Sequence, residues 1–349
     1  MRSARKLLVA LSALVLAVAL LELAASLWLA RSGSPVAGAP GAPGGGPKES
    51  IFGKDDYLRW RFPPSAQGLA MDGNHFATNR LGLRGHDPVQ RARRVVCLGD
   101  SVTFGWDASA DDRSYPARLE QELAGLDVDV VNAGVPRWSS MDLLRLYPTV
   151  IRPLAPDVVV VMAGWNDLGY QFLQGWMHAP ARDPGAGQLS LVTLAQRIGR
   201  ALAGRPASDD EAILMARTSA ADPLEWRYLE EYGRILGALC DLIRADGAEP
   251  VLLTLPNFLE DGLTEAEKRI MLPHLRQFVN LSYGGYQQVV RALNETIRAV
   301  AAERGATLIE CTDVAPAELF TDTAHLNDEG YLRIAQRVAP VLRALLTPK

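Results

Sequence analysis

Hydrophobic and polar positions change character along this chain. From Leu7 to Ala30 the residues are apolar almost without a break, with one charge at Glu22. The run exceeds the about 7–15 apolar residues of a secretory leader. It suits the about 20 residues that cross a bilayer as a helix. Arg2, Arg5 and Lys6 precede it, and Trp28 and Arg31 close it. Basic residues on the near side predict the N-terminus inside and the bulk of the chain outside. Residues 1–31 are therefore expected to form an N-terminal membrane anchor and to place the rest in an extracytoplasmic space. A signal peptide cleaved near Ala37-Gly38-Ala39, giving a secreted protein, is the alternative. Residues 32–50 are mostly Gly, Pro, Ala and Ser, which cannot bury a core and predict a flexible linker. Residues 51–93 show no clear period and read as a lead-in segment packed on the outside of the domain that follows.

From Arg94 the pattern alternates. Short Val/Ile/Leu runs predict strands at Val95–Leu98, Val128–Asn132, Val158–Met162, Val251–Leu255 and Leu308–Cys311. Continuous rather than alternating apolar runs are expected of strands covered on both faces of a parallel sheet. Amphipathic stretches between them predict helices at Tyr115–Ala124, Met141–Ile151, Leu224–Ala245, Tyr286–Arg304 and Asp328–Leu346. This βαβ alternation predicts a three-layer α/β/α fold over 94–349. Two connections, at about 168–223 and 257–285, are too long for turns. Both follow strand ends, where open α/β sheets bind ligands, and both are expected to form a substrate-shaping cap. Among the residues they carry are Tyr170, Phe172, Trp176, Met177, Phe258, Phe278 and Tyr283.

Composition narrows the chemistry. The 349 residues are 48% hydrophobic with a formal net charge of -4. That balance gives no basic surface for nucleic acid. Five histidines and three cysteines, with no CxxC or HExxH pair, imply no metal site and no cofactor. Cys97, Cys240 and Cys311 sit in apolar or helical patterns and read as small buried hydrophobes.

Polar residues cluster where the apolar runs end. Ser101 follows Val95–Leu98 and Gly99-Asp100, placing a hydroxyl at a strand's C-terminal end. Gly134, in Asn132-Ala133-Gly134, and Asn166, in Gly164-Trp165-Asn166-Asp167, follow the next two strands. Their amides are the donors that an oxyanion needs, together with the backbone amide of Ser101. A serine needs a base to take its proton. His325 supplies one, and Asp322, three residues earlier on the same loop, can orient it. Asp72-Gly73-Asn74-His75 repeats that spacing within the lead-in segment and is given no catalytic role. Trp138, Trp165 and Arg137 flank these motifs and are candidate substrate contacts, the tryptophans weighed equally as packing.

Together these blocks resemble the SGNH (GDSL-type) hydrolase superfamily. Gly99-Asp100-Ser101-Val102-Thr103-Phe104-Gly105, Asn132-Ala133-Gly134, Gly164-Trp165-Asn166-Asp167 and Asp322-Thr323-Ala324-His325 carry the likeness. It implies a flavodoxin-like five-stranded parallel sheet in the order 2-1-3-4-5. It also implies that Ser101 is the nucleophile, His325 and Asp322 complete a triad, and Gly134 and Asn166 serve the oxyanion. There is no GxSxG elbow of the α/β-hydrolase type. The expected function is a serine esterase acting on O-acyl groups of envelope or extracellular glycans. A polysaccharide O-acetyltransferase, a lysophospholipase or short-chain esterase, and a non-catalytic glycan-binding protein are the alternatives. The implied partners are a small-molecule or glycan ester and, through the N-terminal helix, a membrane. Oligomeric state is not legible in the sequence.

Overall fold

The computed structural model describes residues 52–55, 57–71, 74–167, 227–259, 263–277 and 283–347. The expected anchor, the linker and the first long connection lie outside these residues. Among the described residues, no helix is long and apolar enough to cross a membrane.

The core is a five-stranded parallel sheet. Its strands are β5 (Arg93–Gly99), β6 (Val128–Gly134), β7 (Val158–Met162), β8 (Glu249–Leu253) and β9 (Thr307–Ile309). They lie in the order β6-β5-β7-β8-β9, which is the expected 2-1-3-4-5. Val95, Val96, Val159, Val160 and Val251 are fully enclosed, as β-branched residues covered on both faces should be. The flanking helices are α1 (Ser101–Phe104), α2 (Tyr115–Glu122), α3 (Ser140–Leu146), α4 (Arg227–Ala245), α5 (Glu265–Gln277), α6 (Tyr283–Arg304) and α7 (Asp328–Leu346). All three cysteines are free and buried.

The helix expected over Met141–Ile151 changes type midway. It is α-helical to Leu146, and Tyr147–Ile151 is a π turn. Pro148 has no N–H to donate back by four residues, so the wider turn accommodates it. Two strands are also displaced from their apolar runs. Thr254 and Leu255 leave β8, and Glu310 and Cys311 leave β9. There the Thr254 hydroxyl donates to Glu310 at 3.1 Å and accepts the Cys311 amide at 2.7 Å, so side-chain bonds stand beside the last backbone bond, from the Thr254 amide to the Ile309 carbonyl at 3.2 Å.

The lead-in segment sits deeper than its irregular pattern implies. It forms two hairpins, β1 (Gly53–Asp55) with β2 (Arg59–Arg61) and β3 (Leu69–Met71) with β4 (Asn74–Phe76). Phe62 stacks on Phe104 of α1 at 5.3 Å, and Phe76 meets the same ring edge-on at 5.0 Å. The Arg84 guanidinium is enclosed. It donates to the carbonyls of Phe104 and Gly105 at 3.1 and 2.8 Å and pairs with Asp111 at 2.9 Å. This segment thus braces the far end of the short helix that Ser101 begins. A period search misses it because each contact comes from a single aromatic or arginine rather than from a repeated face.

The second long connection contains α5. Phe258 in it is buried and packs on Phe320, 4.9 Å between ring centres. Tyr283 is also buried. Tyr170, Phe172, Trp176, Met177 and Phe278 lie outside the described residues.

Candidate active site

Ser101 opens α1 directly after β5 ends. Asp100 caps this helix, its carboxylate accepting the Val102 amide at 3.0 Å. The turn is tight enough to require glycine at two places. A Cβ on Gly99 would lie 2.0 Å from Thr103 Oγ1 and 2.6 Å from the Met162 carbonyl. A Cβ on Gly134 would lie 2.1 Å from the Phe104 nitrogen. Both glycines therefore let α1 settle against the ends of β5 and β6, which presents the serine. The Ser101 amide belongs to the first turn of α1, where amides have no helical acceptor.

The loop between β9 and α7 brings the partners. His325 Nε2 lies 2.7 Å from Ser101 Oγ, across 224 positions of sequence. His325 Nδ1 lies 2.7 Å from Asp322 Oδ2. The other oxygen, Oδ1, accepts the amides of Ala324 and His325, each at 2.8 Å. Three donors thus fix one carboxylate, which leaves Nδ1 as the protonated nitrogen and Nε2 as the acceptor for the serine hydroxyl. Burial pushes the His325 pKa down. The charge and hydrogen bond of Asp322, followed by the charges of Asp107 and Asp100, outweigh it, and the net displacement is upward.

The expected oxyanion donors stand close by with partners of their own. The Gly134 amide donates to Asn132 Oδ1 at 3.0 Å. Asn132 in turn donates to the Phe104 carbonyl at 3.2 Å. Serving an oxyanion from Gly134 requires that amide to leave Asn132. Asn166 Nδ2 donates one hydrogen to the Trp138 carbonyl at 3.0 Å, which leaves its second for another acceptor. Its neighbour Asp167 is buried and accepts the Ser140 amide and hydroxyl at 3.0 and 2.5 Å. Asn166 and Asp167 together clamp the loop 138–140 beside the serine.

The flanking tryptophans do not match a substrate-facing role. Trp138 is 1% exposed and Trp165 6% exposed. Both rings are enclosed and offer no open face for stacking; they hold the loops after β6 and β7 in the core. Arg137 is exposed and has φ +66°, a left-handed conformation unusual for its type. The aromatic residue beside the Ser101–His325 pair lies outside every motif. Trp106 is half-buried and stacks on the His325 ring, 5.7 Å between centres and 29° between planes. Its only sequence signal is its place just after Gly105.

Two buried carboxylates lie near the serine. Burial pushes Asp100 up to about 7, against the Val102 amide and His325. Burial likewise pushes Asp167 up to about 6, against its bonds to Ser140. Asp100 Oδ2 is enclosed without a hydrogen-bond partner.

Among the described residues, His86, Glu120 and Asp129 bring ligand-type atoms within 4.8 Å of one another. They gather at the N-terminal end of β6, the opposite end from Gly134. Glu120 pairs with His86 at 3.1 Å and Asp129 with Arg94 at 2.8 Å. These pairs balance the charges and account for the cluster.

The chain is similar to several solved structures at low identity. A member of a carbohydrate acetylesterase family from Sinorhizobium meliloti is 19% identical, with TM-score 0.46 over 73% of this chain and 99% of that one. An acetylxylan esterase from Geobacillus stearothermophilus is 16% identical, with TM-score 0.45 over 74% and 96%. A GDSL-like lipase from Bacteroides thetaiotaomicron is 16% identical, with TM-score 0.42 over 74% and 91%. No curated protein sequence matches the chain. The profile of the GDSL-like lipase/acylhydrolase family matches residues 97–333, which include every motif above. With that match over the sheet and its site, the chain belongs to the GDSL-like lipase/acylhydrolase family and is an ester-bond hydrolase.

Proposed function

We propose that Ser101, His325 and Asp322 are the catalytic triad of a serine esterase. The observation that carries this reading is the unbroken chain from Ser101 Oγ to His325 Nε2 and from His325 Nδ1 to Asp322, each link 2.7 Å. Ser101 Oγ attacks the ester carbonyl while His325 Nε2 takes its proton. The carbonyl π electrons move onto oxygen, where the Ser101 amide and Asn166 Nδ2 stabilise them, with Gly134 joining once its amide is released. The tetrahedral adduct collapses, the C–O bond to the alcohol breaks, and His325 returns the proton to the leaving oxygen. Water, deprotonated by His325, then releases the acid and restores Ser101.

We further propose that the substrate is an O-acylated glycan outside the cytoplasm. Two features support this. The apolar segment 1–31 is expected to anchor the chain with its bulk outside. Trp106 puts a half-buried aromatic ring beside His325. Aromatic faces suit the C–H surface of a sugar ring.

Fluorophosphonate labelling of the full chain tests the triad. Labelling that disappears in Ser101→Ala is expected; an unlabelled wild-type protein that is folded would overturn the reading. A panel of acetylated oligosaccharides, p-nitrophenyl esters and lysophospholipids then tests the substrate. Preference for acetylated sugars is expected. Release of fatty acid from lysophospholipid as the faster reaction would replace the glycan reading. Recovery of the acyl group on a second glycan rather than as free acid would make the protein a transferase.

A further inference from the structure

The Ser101–His325–Asp322 chain is not the only tie between its two segments. The segment leaving α1, 105–109, and the segment around the base, 321–331, touch at several further points. The bonded pairs are 214 to 225 positions apart. Asp107 Oδ2 accepts the Thr321 hydroxyl at 2.6 Å. The Thr321 amide donates to the His325 carbonyl at 2.9 Å, so Thr321 links Asp107 to the backbone of the histidine itself. The Ser109 amide and hydroxyl donate to Asp328 at 2.9 and 2.5 Å. The Tyr331 hydroxyl donates to the Trp106 carbonyl at 2.6 Å, and the Trp106 ring lies on the ring of His325. Asp107 is also held at φ +65°, a left-handed conformation that costs free energy and persists only when its surroundings impose it.

We propose that Asp107 is a positioning residue for His325. Through Thr321, and with Trp106 as its neighbour, it holds the ring against Ser101. Its carboxylate is a second negative charge favouring the imidazolium that forms as the serine proton moves to Nε2. The proposal rests on the reading of His325 as the general base. Asp107 itself exchanges no proton. Among the described residues, the charged groups that bear most on His325 are Asp322 from its own loop, Asp107 from the segment after α1 and Asp100 from the cap of α1. All three are carboxylates, so removing the charge at 107 makes the neutral imidazole more favourable and lowers the pH at which the base becomes active. A loop contact without function predicts no such change.

Asp107→Asn keeps an acceptor for Thr321 and removes the charge. Thr321→Val removes the hydrogen bond and keeps the charge. Asp107→Gly removes the charge and relieves the positive φ, so it remains informative if the asparagine variant folds poorly. The first readout is the titration of His325 in the full chain, followed by NMR with labelled histidine and assigned by its loss in His325→Gln. Asp107→Asn and Asp107→Gly are expected to lower that midpoint by about half a unit, less than a fully buried pair because Asp107 is half-buried. The acid limb of kcat/KM should move down with it, and kcat should fall several-fold while KM holds. Thr321→Val is expected to lower kcat several-fold and leave the midpoint in place. A His325 midpoint and a kcat unchanged in both Asp107 variants would overturn the proposal. A wild-type protein that hydrolyses no ester would overturn the general-base reading instead, while the NMR titration would still show whether the charge at 107 acts on the ring.

Discussion

The loop around 322–325 and the hairpin β3–β4 share one spelling, Asp322-x-x-His325 and Asp72-x-x-His75, and differ in everything around it. The first lies between β9 and α7, at the edge of the sheet where β5 ends, and its histidine reaches Ser101 at 2.7 Å. Of the second, His75 lies in β4, before the sheet begins. His75 is exposed there, with Nδ1 3.5 Å from the Gly68 carbonyl. An Asp-x-x-His spacing lets a carboxylate reach an imidazole wherever the loop permits. It becomes a candidate base only when the fold brings a hydroxyl to the other ring nitrogen and limits water around both. That requirement is met by the parallel pairing of the strands, which collects successive strand ends on one edge.

The largest test of this contrast is His325→Ala. It should lower kcat/KM by about 10^4-fold or more, leaving only the residual activity of the oxyanion donors. Steady-state hydrolysis of p-nitrophenyl acetate reads it, and a loss below tenfold would dissolve the distinction between the two loops. Asn166→Ala should lower kcat by about 10^2-fold with KM little changed, the usual effect of removing one oxyanion donor. An effect confined to KM would mean that Asn166 holds the loop at Trp138 and nothing more.

Asp100→Asn addresses the charge beneath the serine. A carboxylate whose folded pKa lies above its unfolded value of about 3.9 binds more protons in the native state than in the unfolded one. For Asp100, raised to about 7, stability is therefore greatest below pH 4 and declines as pH rises toward 7. Urea unfolding at pH 4.5 and 7.5 should show that the variant removes about 1–3 kcal/mol of this decline. A slope equal to that of the wild type would assign the burden to Asp167 instead. The smallest expected effect is that of His75→Ala, whose kcat/KM should stay within about twofold of wild type, as for an exposed side chain away from the site. A clear loss of activity would place the hairpin in the catalytic machinery.

Much of the site was legible because its parts are local. Ser101 sits where a Val-rich run ends in Gly99-Asp100, and Asp322 and His325 share a short loop. The strand order followed from the same resemblance that named these blocks. What could not be read were contacts between distant single residues. Gly134 resembles an oxyanion donor, yet its lack of a Cβ is required by the Phe104 backbone 2.1 Å from where that atom would be. Its amide is taken by Asn132 two residues back, a local bond that the sequence permits without demanding. Trp138 and Trp165 look alike in sequence whether they face a sugar or a core, and burial decided for the core. Trp106 carries no motif, and its stacking on His325 exists only once the β9–α7 loop has folded over α1.

The sequence by itself determined the class of fold and singled out Ser101, His325 and Asp322 as the residues proposed for nucleophile, base and orienting carboxylate, because strand runs, turn glycines and a short carboxylate–histidine spacing are local physical requirements. Only the tertiary structure decided which of two equal spacings meets a serine, which aromatic residue stands at His325, and that the lead-in segment braces the helix opened by Ser101 through Phe62, Phe76 and Arg84. Those outcomes depend on chain segments far apart in sequence meeting at one sheet edge. No local preference encodes such a meeting; it comes from burying the two faces of the sheet.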